Sequence, residues 1–120
     1  KTLAVDMPYG TMHLMGMFRI ADKDLAICWP RRTPHALVRA LEERGYRVAF
    51  LPDTDEAERN RALNFVTLGP RRILMVAGNS KTMKFYEGLG IECNAVETGE
   101  LSKAAGNIGC LTGILHRKMA

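Results

Sequence analysis

Cys110 stands where a glycine-flanked loop, Gly106-Asn107-Ile108-Gly109, runs into the apolar segment 111–115, which reads as a strand. A thiol on a tight turn at a strand edge is exposed and aimed, as a nucleophile must be, and small neighbours let a planar substrate reach the sulfur. The competing reading is a packing cysteine, since free thiols are among the most buried side chains. Far upstream, His13 lies between Met12 and Leu14. Near neutral pH a histidine can give a proton to one group and take one from another. On an apolar strand it also reads as a half-buried histidine with satisfied hydrogen bonds. Asn64, within the strand-like run 62–68, carries an amide able to bond a substrate carbonyl or nitrogen, or it ends a strand or shapes a turn. Cys28 and Cys93 fall inside apolar strands and read as core, as do the methionines, while His35 and His116 read as surface residues.

The elements that must position these residues recur along the chain. Strands are expected over 11–18 and 24–29, with a turn at 21–23 between them. Thr33 reads as the cap of a helix that has Pro34 at its first position and buries Leu37, Val38 and Leu41, with Gly45 as its stop and a strand over 46–51. A short acidic helix over 55–60 leads onward. The order then repeats: strands over 62–68 and 73–77 around the turn Gly69-Pro70-Arg71, a helix over 81–89 closed by Gly90, and a strand over 91–96. The segments 41–48 and 86–93 echo each other, so the chain reads as two tandem ββαβ units.

With 120 residues, 47% hydrophobic and 25% charged, the sequence is that of one globular domain with a real core. No run approaches the ~20 apolar residues of a membrane span and no signal peptide is visible, although the start at Lys1 reads as a processed or cut piece. Three scattered cysteines without a CxxC pair or a Cys/His cluster imply no metal site and a reducing, cytoplasmic setting. Net charge is +4, yet Arg31-Arg32 and Arg71-Arg72 each follow a proline and aromatics make up only 7%, so solvated turn arginines are expected rather than a nucleic-acid surface. Neither nucleic acid nor membrane is expected as a partner.

Several stretches, taken in order, carry a further resemblance. These are His13-Leu14, the run 62–70, Gly78-Asn79 through Thr82, Gly90-Ile91-Glu92, Glu100-Leu101 with Lys103, and Cys110-Leu111-Thr112 after its glycine-rich loop. Over residues 11–117 the chain resembles the guanidine-modifying, or pentein, superfamily of amidinotransferases, arginine deiminases and dimethylarginine dimethylaminohydrolases. The resemblance implies an α/β fold that is part of a five-module propeller: one domain over 1–120 with ββαβ modules at about 11–60 and 61–117, plus a C-terminal strand carrying the nucleophile. The family's catalytic domain is longer, so open faces would be covered by homo-oligomerisation or by association with the missing modules.

The resemblance also implies a chemistry. Cys110 would attack the carbon of a small guanidino or amidino substrate and His13 would shuttle the proton. No metal or organic cofactor is implied, because the thiol itself carries the group. The family's His-x-Asp would put a carboxylate at position 15, where this chain has Met15, and a thioether cannot pair with a guanidinium. Asp6, Asp22, Asp24 and Glu56 are the available acids. Asp6, one strand-length before His13, is expected to bind substrate together with Asn64 and Gly109. The expected function is that of an amidinotransferase or amidino-hydrolase acting on an unusual substrate. The alternative is a truncated, non-catalytic relative used for binding or assembly.

Overall fold

A computed structural model describes residues 2–118; Lys1 and Met119, the chain start and one of the methionines read as core, lie outside the described residues with Ala120. Two hairpin-helix-strand units follow one another. The first comprises β1 (Phe18–Asp22), β2 (Leu25–Cys28), α1 (His35–Glu42) and β3 (Arg47–Phe50). After α2 (Asp55–Asn60) come β4 (Val66–Gly69), β5 (Arg72–Val76), α3 (Ser80–Gly88) and β6 (Glu92–Val96), and then the single-turn α4 (Gly99–Ser102). Each unit forms a three-stranded sheet, β1-β2-β3 or β4-β5-β6, with its first pair antiparallel and its second pair parallel.

Why the chain folds this way is visible in the first central strand. All four residues of β2 are buried, as expected of a strand covered on both faces. The helix stops are equivalent in the two units: Gly45 and Gly90 take left-handed φ values of +81° and +79°. Behind each, the next N–H reaches five residues back, Tyr46 to Leu41 and Ile91 to Tyr86, closing the last helical turn. One core spans both units, joining Leu25, Ile27 and Trp29 to Phe65, Ile73, Met75 and Tyr86. A smaller cluster packs Leu37 and Leu41 of α1 against Ala26 and Cys28.

Several local expectations are corrected. Residues 11–18 do not form a strand: a 3-10 turn occupies Leu14–Gly16, and β1 starts at Phe18, opposite Cys28. The apolar run had suggested pairing, but β2 offers partners only from Phe18 onward. β1 then continues through Asp22, so the hairpin turns at Lys23-Asp24 rather than at 21–23. Thr33 does not cap α1: its hydroxyl donates to the carbonyls of Met17 and Trp29, and Pro34 precedes the first helical residue, His35. Segment 111–115 forms no strand either; Leu111, Ile114 and Leu115 are exposed, with no strand edge paired to them among the described residues.

Two of the supposedly solvated charges also have structural work. Arg71 joins the units: its N–H donates to the carbonyl of Ala21, and its guanidinium pairs with Asp22 at 3.0 Å and Asp24 at 3.3 Å. Glu56 accepts from the N–H groups of Lys81 and Thr82 and from the Thr82 hydroxyl, capping α3 from a neighbouring helix. Met7 and Met12 are exposed, whereas Met17 and Met75 are in the interior. No helix of the described residues is long and apolar enough to cross a membrane.

Candidate active site

The loop that carries Cys110 is built around a buried amide. Asn107 is fully buried, and its NH2 donates to Thr98 Oγ1 and Ser102 Oγ, both at 3.0 Å. Its Oδ1 accepts from the N–H of Ile108 at 2.8 Å, and its carbonyl accepts from the N–H groups of Cys110 and Leu111. Every polar atom of that side chain is thus committed to holding the turn against α4, as a buried amide requires. Sequence reading passed over Asn107; the signal was a large amide set among small residues, where turn chemistry alone would have been met by glycine.

Asn64 clamps the same turn from the start of the second unit. Its Oδ1 accepts from Gly109 N–H at 2.7 Å and its Nδ2 donates to Cys110 Sγ at 3.0 Å. Gly109 is buried for a steric reason: a Cβ there would lie 2.6 Å from Asn64 Oδ1 and 3.2 Å from the carbonyl of Phe65. The structure therefore brings Asn64, Gly109 and Cys110 together as one hydrogen-bonded group. In this arrangement the Asn64 amide is engaged with the Cys110 loop itself.

Arg19 of β1 completes the wall. Its guanidinium donates to the carbonyl of Phe65 and lies over the Phe65 ring, 5.3 Å from the centroid. Burial lowers its proton affinity, while the Cys110 thiol and the Tyr86 hydroxyl pull the other way; an arginine so placed keeps its charge. The sequence carried a signal that was not used, a lone charge inside Met17-Phe18-Arg19-Ile20-Ala21.

Two clefts meet at Cys110. One, of about 610 Å3, is walled by Phe18, Arg19, Thr67, Thr112 and Arg117. The other, of about 300 Å3, is lined by His13, Trp29, Arg32, Glu58, Asn64 and Arg61 among others. His13 does not sit on a strand; it precedes the 3-10 turn in extended conformation, is exposed, and shares this smaller cleft with Cys110. Met15 lines both clefts. Asp6 is exposed on the leading segment and lines neither, so the structure does not bring it to the thiol. Glu58 is the one carboxylate lining either cleft among the described residues.

The three thiols differ sharply in setting. Cys110 is exposed, Cys28 buried and Cys93 partly buried. Burial pushes Cys28 up to about 11 despite the Thr33 hydroxyl, and burial followed by the nearby Glu87 charge pushes Cys93 up to about 11. Among the described residues no group of three or more His, Cys, Asp or Glu side chains is placed to hold a metal.

The sequence profile of the family described as arginine deiminase matches residues 10–117. No curated protein sequence matches the chain. Inosamine-phosphate amidinotransferase from Streptomyces griseus superposes with a TM-score of 0.78 at 14% identity, covering 93% of this chain and 34% of that one. An amidinotransferase of the saxitoxin biosynthetic pathway from Microseira wollei gives 0.77 at 12% identity, covering 92% and 33%. A dimethylarginine dimethylaminohydrolase, solved as an adduct with 4-chloro-2-hydroxymethylpyridine, gives 0.63 at 20% identity, covering 87% and 38%. At these identities the likeness is one of fold, and the chain spans about a third of the length of these proteins.

Proposed function

The chain belongs to the arginine deiminase family, and on that premise we propose that it acts on a guanidino or amidino compound through a covalent bond to Cys110. The observation that carries this reading is the placement of an exposed Cys110 on a pinned turn where two clefts meet, with Asn64 donating to its sulfur. The thiolate adds to the central carbon of the substrate, forming a C–S bond. The tetrahedral adduct collapses by breaking one C–N bond, and the departing amine takes a proton from His13. The amidino group remains on sulfur as a thiouronium. Water or an acceptor amine, deprotonated by the now neutral His13, adds to that carbon, and the C–S bond breaks to return the thiolate.

Two expectations about the whole molecule belong to the same proposal. The repeated strand-strand-helix-strand order supports a place in a larger propeller. Exposed apolar side chains at Ile20, Leu68, Ile114 and Leu115 support cover by a second copy or by further modules. One observation favours the non-catalytic alternative: the cleft walls present Met15 where a cation-binding carboxylate was sought.

Labelling with 2-chloroacetamidine separates the two readings. Its amidinium resembles the substrate head group, and a thiolate displaces its chloride to leave a stable thioether. Peptide mapping should place the adduct on Cys110, with a rate that saturates and that falls in His13→Ala, while neutral iodoacetamide shows neither feature. Unsaturable labelling, indifferent to His13, would leave only the binding or assembly role.

A further inference from the structure

We propose that Glu58 receives the cationic head of the substrate and that the guanidinium of Arg32 occupies its seat until the substrate displaces it. The inference rests on the covalent-amidino reading above and supplies what that reading lacks, a carboxylate within the cleft shared by His13 and Cys110. Met15 cannot serve, and Asp6 lines neither cleft. Glu58, on α2, does line the smaller one.

Arg32 shows what this position accepts. Its guanidinium lies over the ring of Trp29, 4.2 Å from the centroid, and meets Glu58 Oε1 at 3.6 Å. An aromatic face beneath a planar cation and a carboxylate at its edge form a recognition set for guanidinium or amidinium. The Arg32–Glu58 pair is long and touches one oxygen, and both side chains are substantially exposed, at 44% and 63%. Such exposed pairs contribute little, so a substrate cation forming two short bonds to the carboxylate can replace the arginine. Arg61 lines the same cleft, so Arg32 and Arg61 together oppose entry of a cation until Arg32 swings out. Arg32 is thus a competitor as well as a placeholder, and removing it should strengthen binding.

Saturation kinetics of 2-chloroacetamidine labelling on the full chain test the inference, with iodoacetamide as the neutral control. Glu58→Gln should raise the half-saturating amidine concentration about tenfold or more, the scale of a lost charged hydrogen bond. Arg32→Gln should lower it several-fold, and the iodoacetamide rate should not follow either change in size. A second readout uses unreactive acetamidine and the fluorescence of Trp29, the only tryptophan. Its emission should shift on titration in the wild type and not in Glu58→Gln. If the wild type saturates but both variants match it, the Glu58 seat is wrong and the covalent reading stands. If the wild type shows no saturable preference for the amidine, the covalent reading fails and takes this inference with it.

Discussion

Gly109 is where a single methyl group should decide the setting of the Cys110 thiol. An alanine Cβ would sit 2.6 Å from Asn64 Oδ1, so the turn or the amide must shift, and the clamp on Cys110 opens with it. Gly109→Ala should cost about 1–3 kcal/mol, the usual scale of overpacking, and should abolish saturable amidine labelling; urea denaturation and labelling rates check the two effects separately. The other thiols supply an internal control. Cys28 and Cys93, each held near 11 by burial, remain protonated at pH 8, and the thiolate is the reactive form. Alkylation of the native chain at pH 8 should therefore map to Cys110 alone, with Cys28 and Cys93 reacting as the pH approaches 11 or as urea unfolds the chain. At this scale the sequence was legible where residue type and loop composition coincide, as in the exposure of Cys110 on its turn; Asn64 was read on a strand-like run, whereas β4 begins only at Val66. The sequence was opaque at Asn107, Arg19 and Glu58, whose importance comes from partners 9, 46 and 26 positions away. Asp6 misled because spacing along a strand was assumed for a segment that is not a strand.

At the scale of elements, glycine punctuation was the most readable feature. Gly45 and Gly90, read as helix stops, end equivalent helices in the left-handed conformation. The errors lie in apolar runs whose partners are absent from their own neighbourhood. Segments 11–18 and 111–115 have strand-like composition, but a strand exists only where another edge accepts it. The capping of α3 was unreadable for a related reason, since Glu56 acts from a different helix. Burial pushes its carboxyl up, but hydrogen bonds from the Thr82 hydroxyl and the Thr82 and Lys81 N–H groups outweigh burial and hold it below its ordinary value. The folded state thus binds this proton less tightly than the unfolded chain. Its contribution is complete above the ordinary glutamate range and is lost as the pH falls through the lower folded value. Glu56→Gln should cost about 1 kcal/mol near neutrality, the scale of a helix cap. The gap between variant and wild type in urea midpoints should narrow on acidification; a gap independent of pH would assign the loss to packing.

For the whole molecule, the repeat that was legible in the sequence suggested two modules, but repetition alone does not say whether they stand apart. Leu25, Ile27 and Trp29 share one core with Ile73, Met75 and Tyr86, so separating the sheets would expose apolar faces of both. The polar seam has the same effect. Thr67 Oγ1 donates to the carbonyl of Ile20 at 2.6 Å, and Arg71 of the second unit meets Ala21, Asp22 and Asp24 of the first. The Asp22 carboxylate is only 9% exposed, so removal of its cation leaves a poorly hydrated charge with the Lys23 N–H as its remaining partner. We therefore expect the chain to unfold as one cooperative unit. Trp29 fluorescence reports the first module, and alkylation of Cys93, quantified by peptide mapping across a urea series, reports the second. Their midpoints should coincide in the wild type. In Arg71→Gln both should move down together by an amount equivalent to about 2 kcal/mol, the scale of hydrogen bonds to charged groups. If Trp29 and Cys93 instead separate, in either chain, the shared core is not what joins the modules, and each sheet must find its stability within its own unit.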